Sequence, residues 1–177
     1  MARLAVLVGI VFTTAGAQYS CNSDGTGSIS NRNFDTGHGS TFVTTLVLRD
    51  SANVATDQFS RSDLIQFELT VRNQTSREVK LEIGQPQRDF LVFDNGADMP
   101  RWRYTTGLTV TAEGIVLTFA PRETKVFTLT WNQELLDGTF LPAGRYEARG
   151  LVTKIGFPGD PLASDELFSD FRPFTVN

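Results

Sequence analysis

The stretch "LIQFELTVRN", residues 64–73, alternates apolar and polar side chains from Ile65 to Arg72. Ile65, Phe67, Leu69 and Val71 are the apolar members of this alternation. Successive side chains of a β-strand point to opposite faces, so a period of two predicts a strand with one buried face and one solvated face. The stretch therefore favours an all-β fold over a helical one.

The same period recurs along the chain from Thr41 onward. The segments "EVKLEI", "KVFTLTW" and "GRYEARGLV" repeat it, and "TFVTTLVL", "FLVF", "RWRY", "IVLTF" and "RPFTV" are further predicted strands. Turn signals rich in Gly, Pro and Asn separate most of them, including Gly84-Gln85-Pro86 and Gly114. This spacing predicts an immunoglobulin-like antiparallel β-sandwich of about eight strands over residues 41–177.

Residues 1–20 have the order of a secretory signal peptide. A cationic Arg3 precedes an apolar run from Leu4 to Phe12, and small residues follow as far as Ala17. The apolar run is about half of the roughly 20 residues that a membrane-spanning helix needs. We therefore expect the mature protein to be exported to the cell envelope or periplasm.

Cys21 is the only cysteine, and it follows the signal segment directly. Residues 21–40 are polar and rich in Gly, Ser and Asn, which is typical of a flexible tether. This arrangement resembles a bacterial lipoprotein that is acylated on Cys21, so a lipid anchor is the one membrane contact we expect. The alternative is cleavage after Ala17 with a free thiol, because Gln18 and Tyr19 fit a lipoprotein signal poorly.

Charge and composition argue against nucleic acid, metals and catalysis. The net charge is −4, and the basic residues are scattered along the chain, whereas phosphate binding needs a concentrated positive face. The sole histidine, His38, lies in the tether, and no G-x-S-x-G motif or phosphate-binding glycine loop occurs. Asp89, Asp94 and Asp98 lack calcium-loop spacing, and solvation at turns and edges explains them better. We expect no cofactor, metal or enzymatic activity, although a carboxylate pair depends on the fold and stays open.

The densest mixture of charged and aromatic residues lies at 85–104, "QPQRDFLVFDNGADMPRWRY". "DFLVF" and "RWRY" are the predicted arms of a hairpin, which turns at Asp94-Asn95-Gly96. In one interpretation the aromatic residues bury one face and Asp89, Arg101 and Arg103 pair on the other. In a second interpretation the stretch is a recognition edge, because Arg and aromatic residues are favoured at interfaces. The candidate recognition edge comprises Arg88, Asp89, Arg101, Trp102 and Arg103.

A series of landmark residues spans residues 60–153, namely Asn73, Gln87, Arg88, Asp89, Phe90, Trp102, Pro121, Glu123, Trp131, Gly144 and Tyr146. Their order resembles the BsuPI family of intracellular proteinase inhibitors. Two departures stand out. The tyrosine before the aspartate is missing, and Arg122 replaces the glycine of the family's Pro-Gly-Glu turn.

The resemblance implies a protein partner, with a protease as the first candidate. The family is named for intracellular inhibitors, whereas this chain begins with an export signal, so its target would lie outside the cytoplasm. We expect a membrane-tethered binding domain of the cell envelope that inhibits a serine protease. The alternative is a structural or assembly module of an envelope complex without inhibitory activity.

The segment "KIGFPGDPLAS", residues 154–164, is the candidate inhibitory loop. Pro158 and Pro161 restrict its backbone, leaving Phe157 or Leu162 as an apolar anchor for a protease pocket. The alternative is a long connection between the last two strands, with Phe157 packed against the sandwich.

Substituting Cys21→Ala is expected to release the domain from membranes without lowering its thermal midpoint, because the tether contributes nothing to the core. Membrane fractionation and the mass of the mature N-terminus check this expectation. A mature chain that begins with an unmodified Gln18 and carries no diacylglycerol would contradict lipidation while leaving export intact.

Overall fold

The computed structural model describes residues 41–109, 111–154 and 167–177, and they form an all-β fold. No described residue lies in an α-helix, and no helix among them is long and apolar enough to cross a membrane. The strands are β1 (Phe42–Arg49), β2 (Gln58–Phe59), β3 (Ile65–Asn73), β4 (Val79–Asp94), β5 (Pro100–Arg103), β6 (Thr111–Phe119), β7 (Thr124–Trp131), β8 (Gly144–Lys154) and β9 (Arg172–Val176).

The strands form two sheets, as the period of two predicted. One sheet has the order β1-β3-β7, and the other has the order β2-β9-β8-β4-β5, with β6 also paired to β4. All pairs are antiparallel except β2 with β9. The two-residue β2 had no sequence signal of its own.

Strand β4 differs from the prediction, because the sequence indicated two strands separated by a turn at Gly84-Gln85-Pro86. The structure has one strand of 16 residues there. Its first half pairs with β6 and its second half with β5, and the register shifts against β6 and β8 around residues 83–88. Since Pro86 cannot donate to a ladder, this segment bends the strand and changes its partner without reversing the chain.

The predicted turn at Gly114 is also absent, because this glycine lies inside β6. A Cβ atom at Gly114 would collide with the side chain of Glu82. The glycine therefore provides room for a side chain of the neighbouring strand, which is a packing role that glycine can have within a sheet.

Aromatic rings fill the space between the two sheets. The indole rings of Trp102 and Trp131 stack with their centroids 4.3 Å apart, and the ring of Phe67 lies 6.1 Å from Trp102 and 5.2 Å from Phe90. Phe67, Trp102, Phe127 and Trp131 belong to one buried core. Each such ring removes about 150 to 250 Å² of surface from water, so this cluster is a main source of stability.

Buried Asn73 ties two turns together at the end of β3. Its Nδ2 donates to the carbonyl oxygens of Arg77 at 2.8 Å and Ala120 at 2.9 Å, while its Oδ1 accepts from the Thr75 amide at 2.9 Å. At both the β3–β4 turn and the β6–β7 turn the chain passes from one sheet to the other. The asparagine therefore joins these two turns.

The β6–β7 turn explains why glycine would suit position 122. The Glu123 amide donates to the Ala120 carbonyl at 3.1 Å, with Pro121 and Arg122 between them. Arg122 has a φ of +62°, in the left-handed region that a type II turn requires at its third residue. A side chain with a Cβ is strained there, whereas glycine is not.

Replacing Arg122→Gly is therefore expected to raise the free energy of unfolding by about 0.5 to 1 kcal/mol, since relief of strain outweighs the greater chain entropy of glycine. Arg122→Ala removes the same exposed charge but keeps the Cβ, so it should bring no gain. Urea denaturation of both variants provides the measurement. Equal stabilisation by alanine and glycine would show that charge, and not backbone strain, is responsible.

Candidate recognition site

The Asp89 carboxylate is buried within the β4–β5 hairpin. Its Oδ1 accepts hydrogen bonds from the amides of Phe90 at 2.9 Å and Thr105 at 3.2 Å. Its Oδ2 accepts from the Thr105 hydroxyl at 2.8 Å and forms an ion pair with Nε of Arg103. The expectation that turn or edge solvation accounts for Asp89 is wrong, because no part of this residue reaches solvent.

Trp102 belongs to the core as well, since only 8% of its surface is exposed. Residues Arg101 and Arg103 flank it on β5 and are both exposed, which is the alternation of a strand with one buried face. Asp89 and Trp102 therefore offer no surface to a partner, and the accessible part of the candidate recognition edge consists of its arginines.

Arg88 connects the two sheets. Its Nε donates to the Thr128 carbonyl oxygen at 3.0 Å. Thr128 lies on β7, which is an edge strand of its sheet within the described part of the chain, with β3 as its neighbour. An edge carbonyl is a site where another chain could add a strand, so this contact protects the edge.

Arg101 closes the base of the hairpin loop through Asp94. Its Nε lies 2.8 Å from Oδ1 and 3.0 Å from Oδ2 of that carboxylate. The hydrogen bond with Asp94 raises the pKa of Arg101, which stays fully charged. Both side chains are partly exposed, so the pair contributes at most about 1 kcal/mol to stability, and its effect is to fix the loop.

The loop between the two arms, residues 95–99, carries an exposed apolar side chain. The Ala97 amide donates to the Asp94 carbonyl at 2.9 Å, and Gly96 has a φ of +80°, as the Asn-Gly signal predicted. Met99 is 78% exposed at the end of this loop. Sequence reasoning missed it, because a methionine next to a strand suits a core equally well.

An open cleft of about 320 Å³ lies beside this loop. Its lining includes Asn95, Arg145 and Tyr146, and the Asn95 amide donates to the Arg145 carbonyl at 3.2 Å. Burial raises the pKa of Tyr146, so its hydroxyl stays neutral and donates to the Pro142 carbonyl at 2.7 Å. Both hydrogen bonds hold the backbone at the border of this cleft, next to the loop.

Three of the site residues predicted from the sequence lie outside the described residues, namely Cys21, Phe157 and Leu162. Over 41–109, 111–154 and 167–177, no group of three or more His, Cys, Asp or Glu side chains is arranged to hold a metal ion.

A family model described as BsuPI, intracellular proteinase inhibitor, matches residues 52–155. This range covers more than half of the chain and runs from β2 to the end of β8, so it contains the whole β4–β5 hairpin. No curated protein matches the chain significantly.

The solved structures that match the chain are distant in sequence. The CARDB domain of a Pyrococcus furiosus protein, in complex with di-metal ions, is 18% identical with a TM-score of 0.37, over 78% of this chain and 90% of that one. A β-glucosidase from Listeria innocua, in complex with glucose, is 12% identical with a TM-score of 0.42, over 79% of this chain and 17% of that one. A β-glucosidase of saponin metabolism from intestinal bacteria is 15% identical with a TM-score of 0.39, over 77% and 16%.

Asp89→Ala is expected to lower the free energy of unfolding by about 3 to 5 kcal/mol, because it leaves buried donors without their acceptor. Asp94→Ala is the matched control, since it removes a partly exposed aspartate of the same hairpin and should cost no more than about 1 kcal/mol. Chemical denaturation measures both. Similar losses of unfolding free energy in the two variants would contradict this expectation. They would mean that burial does not determine how much the Asp89 carboxylate contributes to stability.

Proposed function

Because the chain belongs to the BsuPI family of proteinase inhibitors, we propose that it is a non-catalytic binding domain that inhibits a serine protease of the cell envelope. The observation that carries the proposal is the family match over residues 52–155. The matched range includes the two elements that a rigid inhibitor needs, namely a packed scaffold and a loop projecting from it.

The scaffold supports this function through its rigidity. An inhibitor loses affinity when binding has to order a flexible segment, so a preorganised surface is favoured. Here the stacked rings of Trp102 and Trp131 and the buried Asp89 carboxylate hold both arms of the hairpin in place. The surface between the two arms of the hairpin is therefore ordered before a partner binds.

The proposed location of the target rests on the sequence of the first 21 residues. The signal-like segment 1–20 and the lipoprotein-like position of Cys21 support an exported domain with a lipid anchor. An anchored inhibitor at the membrane would meet proteases of the envelope and not those of the cytoplasm. This is where the proposal departs from the intracellular role in the family description.

Titration of the protein into subtilisin-like and chymotrypsin-like proteases tests the proposal. We expect one or more of them to be inhibited at close to one equivalent, and the protein to be recovered uncleaved. The Asp89→Ala variant is the control for scaffold integrity, because a destabilised hairpin should inhibit less well and be cleaved. Full protease activity at a large excess of folded protein would contradict the proposal.

A second function, assembly of an envelope complex, is favoured by one observation. Among the strands that the structure describes, β6 pairs with β4 alone, and it exposes Ile115 and Val116, the latter by 60%. An apolar sheet edge of this kind can accept a strand from another protein. A protein that leaves proteases untouched but co-purifies with an envelope partner would support this alternative.

A further inference from the structure

We infer that Met99 is the side chain that enters the primary specificity pocket of the target, and that the target prefers large apolar residues there. The inference rests on the proposed inhibitory function and identifies its contact residue and its class of protease. Asp89 and Trp102 on the arms of the hairpin are excluded as the pocket-filling side chain, because both are buried.

Exposure is the first observation that points to Met99. Among the large apolar side chains of the described residues it is the most exposed at 78%, ahead of Leu136 at 68%. Binding energy at protein interfaces is concentrated in a few side chains that fill a pocket of the partner. Methionine is unbranched and adapts its shape, so it can fill a deep apolar pocket.

The backbone around Met99 is the second observation. The Asp94–Arg101 pair closes the base of the loop, and the Ala97 amide is bonded to the Asp94 carbonyl. The Asn95 amide is bonded to the Arg145 carbonyl on β8. A loop held at its base and at its first residue loses little conformational entropy when it binds.

Pro100 is the third observation, and it explains why the loop would inhibit without being consumed. Its ring fixes its own φ and disfavours a helical conformation at Met99. The peptide bond after Met99 is a prolyl bond, so attack by a protease serine would have to expel a hindered secondary amine. The pocket can therefore be filled while the bond beyond it resists cleavage.

Substitutions at Met99 test the inference on the full chain, with two classes of protease as probes. Met99→Ala should raise the inhibition constant for the apolar-specific protease about 30-fold. Met99→Lys should no longer inhibit that protease and should instead inhibit a trypsin-like one, because a cation then occupies the same position. Both variants should keep the wild-type thermal midpoint, since an exposed side chain contributes little to folding.

Leu136 offers the matched control, because it is a comparably exposed apolar side chain on a different loop. Leu136→Ala and Leu136→Lys should inhibit like the wild type and should not change which protease is inhibited. An inhibitory wild type whose Met99 variants behave like the Leu136 variants would overturn the inference alone. A folded wild type that is inert against every protease tested would overturn the proposed function, and the inference with it.

Discussion

The hairpin formed by β4 and β5 depends on one buried charge. The Asp89 carboxylate satisfies the amides of Phe90 and Thr105, the hydroxyl of Thr105 and the guanidinium of Arg103. A buried carboxylate is costly unless it is paired and hydrogen-bonded in this way. The network fixes where β5 ends, and thereby holds Trp102 against Trp131 in the core. Folding and presentation of the loop therefore depend on the same side chain.

The strand pattern could be predicted from the sequence because burial in a sandwich leaves a period of two. Segments such as Ile65–Asn73 show it plainly, and the structure places a strand there. The sequence alone does not distinguish the bend at Gly84-Gln85-Pro86 from a turn, since these residues are favourable in a bent strand and in a turn. Which of them occurs depends on the partners of β4, and these come from distant parts of the chain.

The site was predictable only in part, for a related reason. Pairing of Asp89 with an arginine follows from the hairpin, and it was expected, whereas the pairing of Arg101 with Asp94 was not. The burial of Asp89 and the exposure of Met99 were not expected. The neighbouring residues in the sequence do not indicate whether a carboxylate or a methionine is buried or exposed. Arg122 shows the opposite case, where a departure from the family pattern marked a backbone position that favours glycine.

Hydrogen exchange of the protein, alone and bound to a catalytically inactive form of the protease it inhibits, tests the account most directly. The account predicts that the amides of Phe90 and Thr105 exchange slowly in the free protein, and that binding adds protection at residues 96–99. Protection confined to β6, β7 or residues 154–164, with 96–99 unchanged, would contradict it.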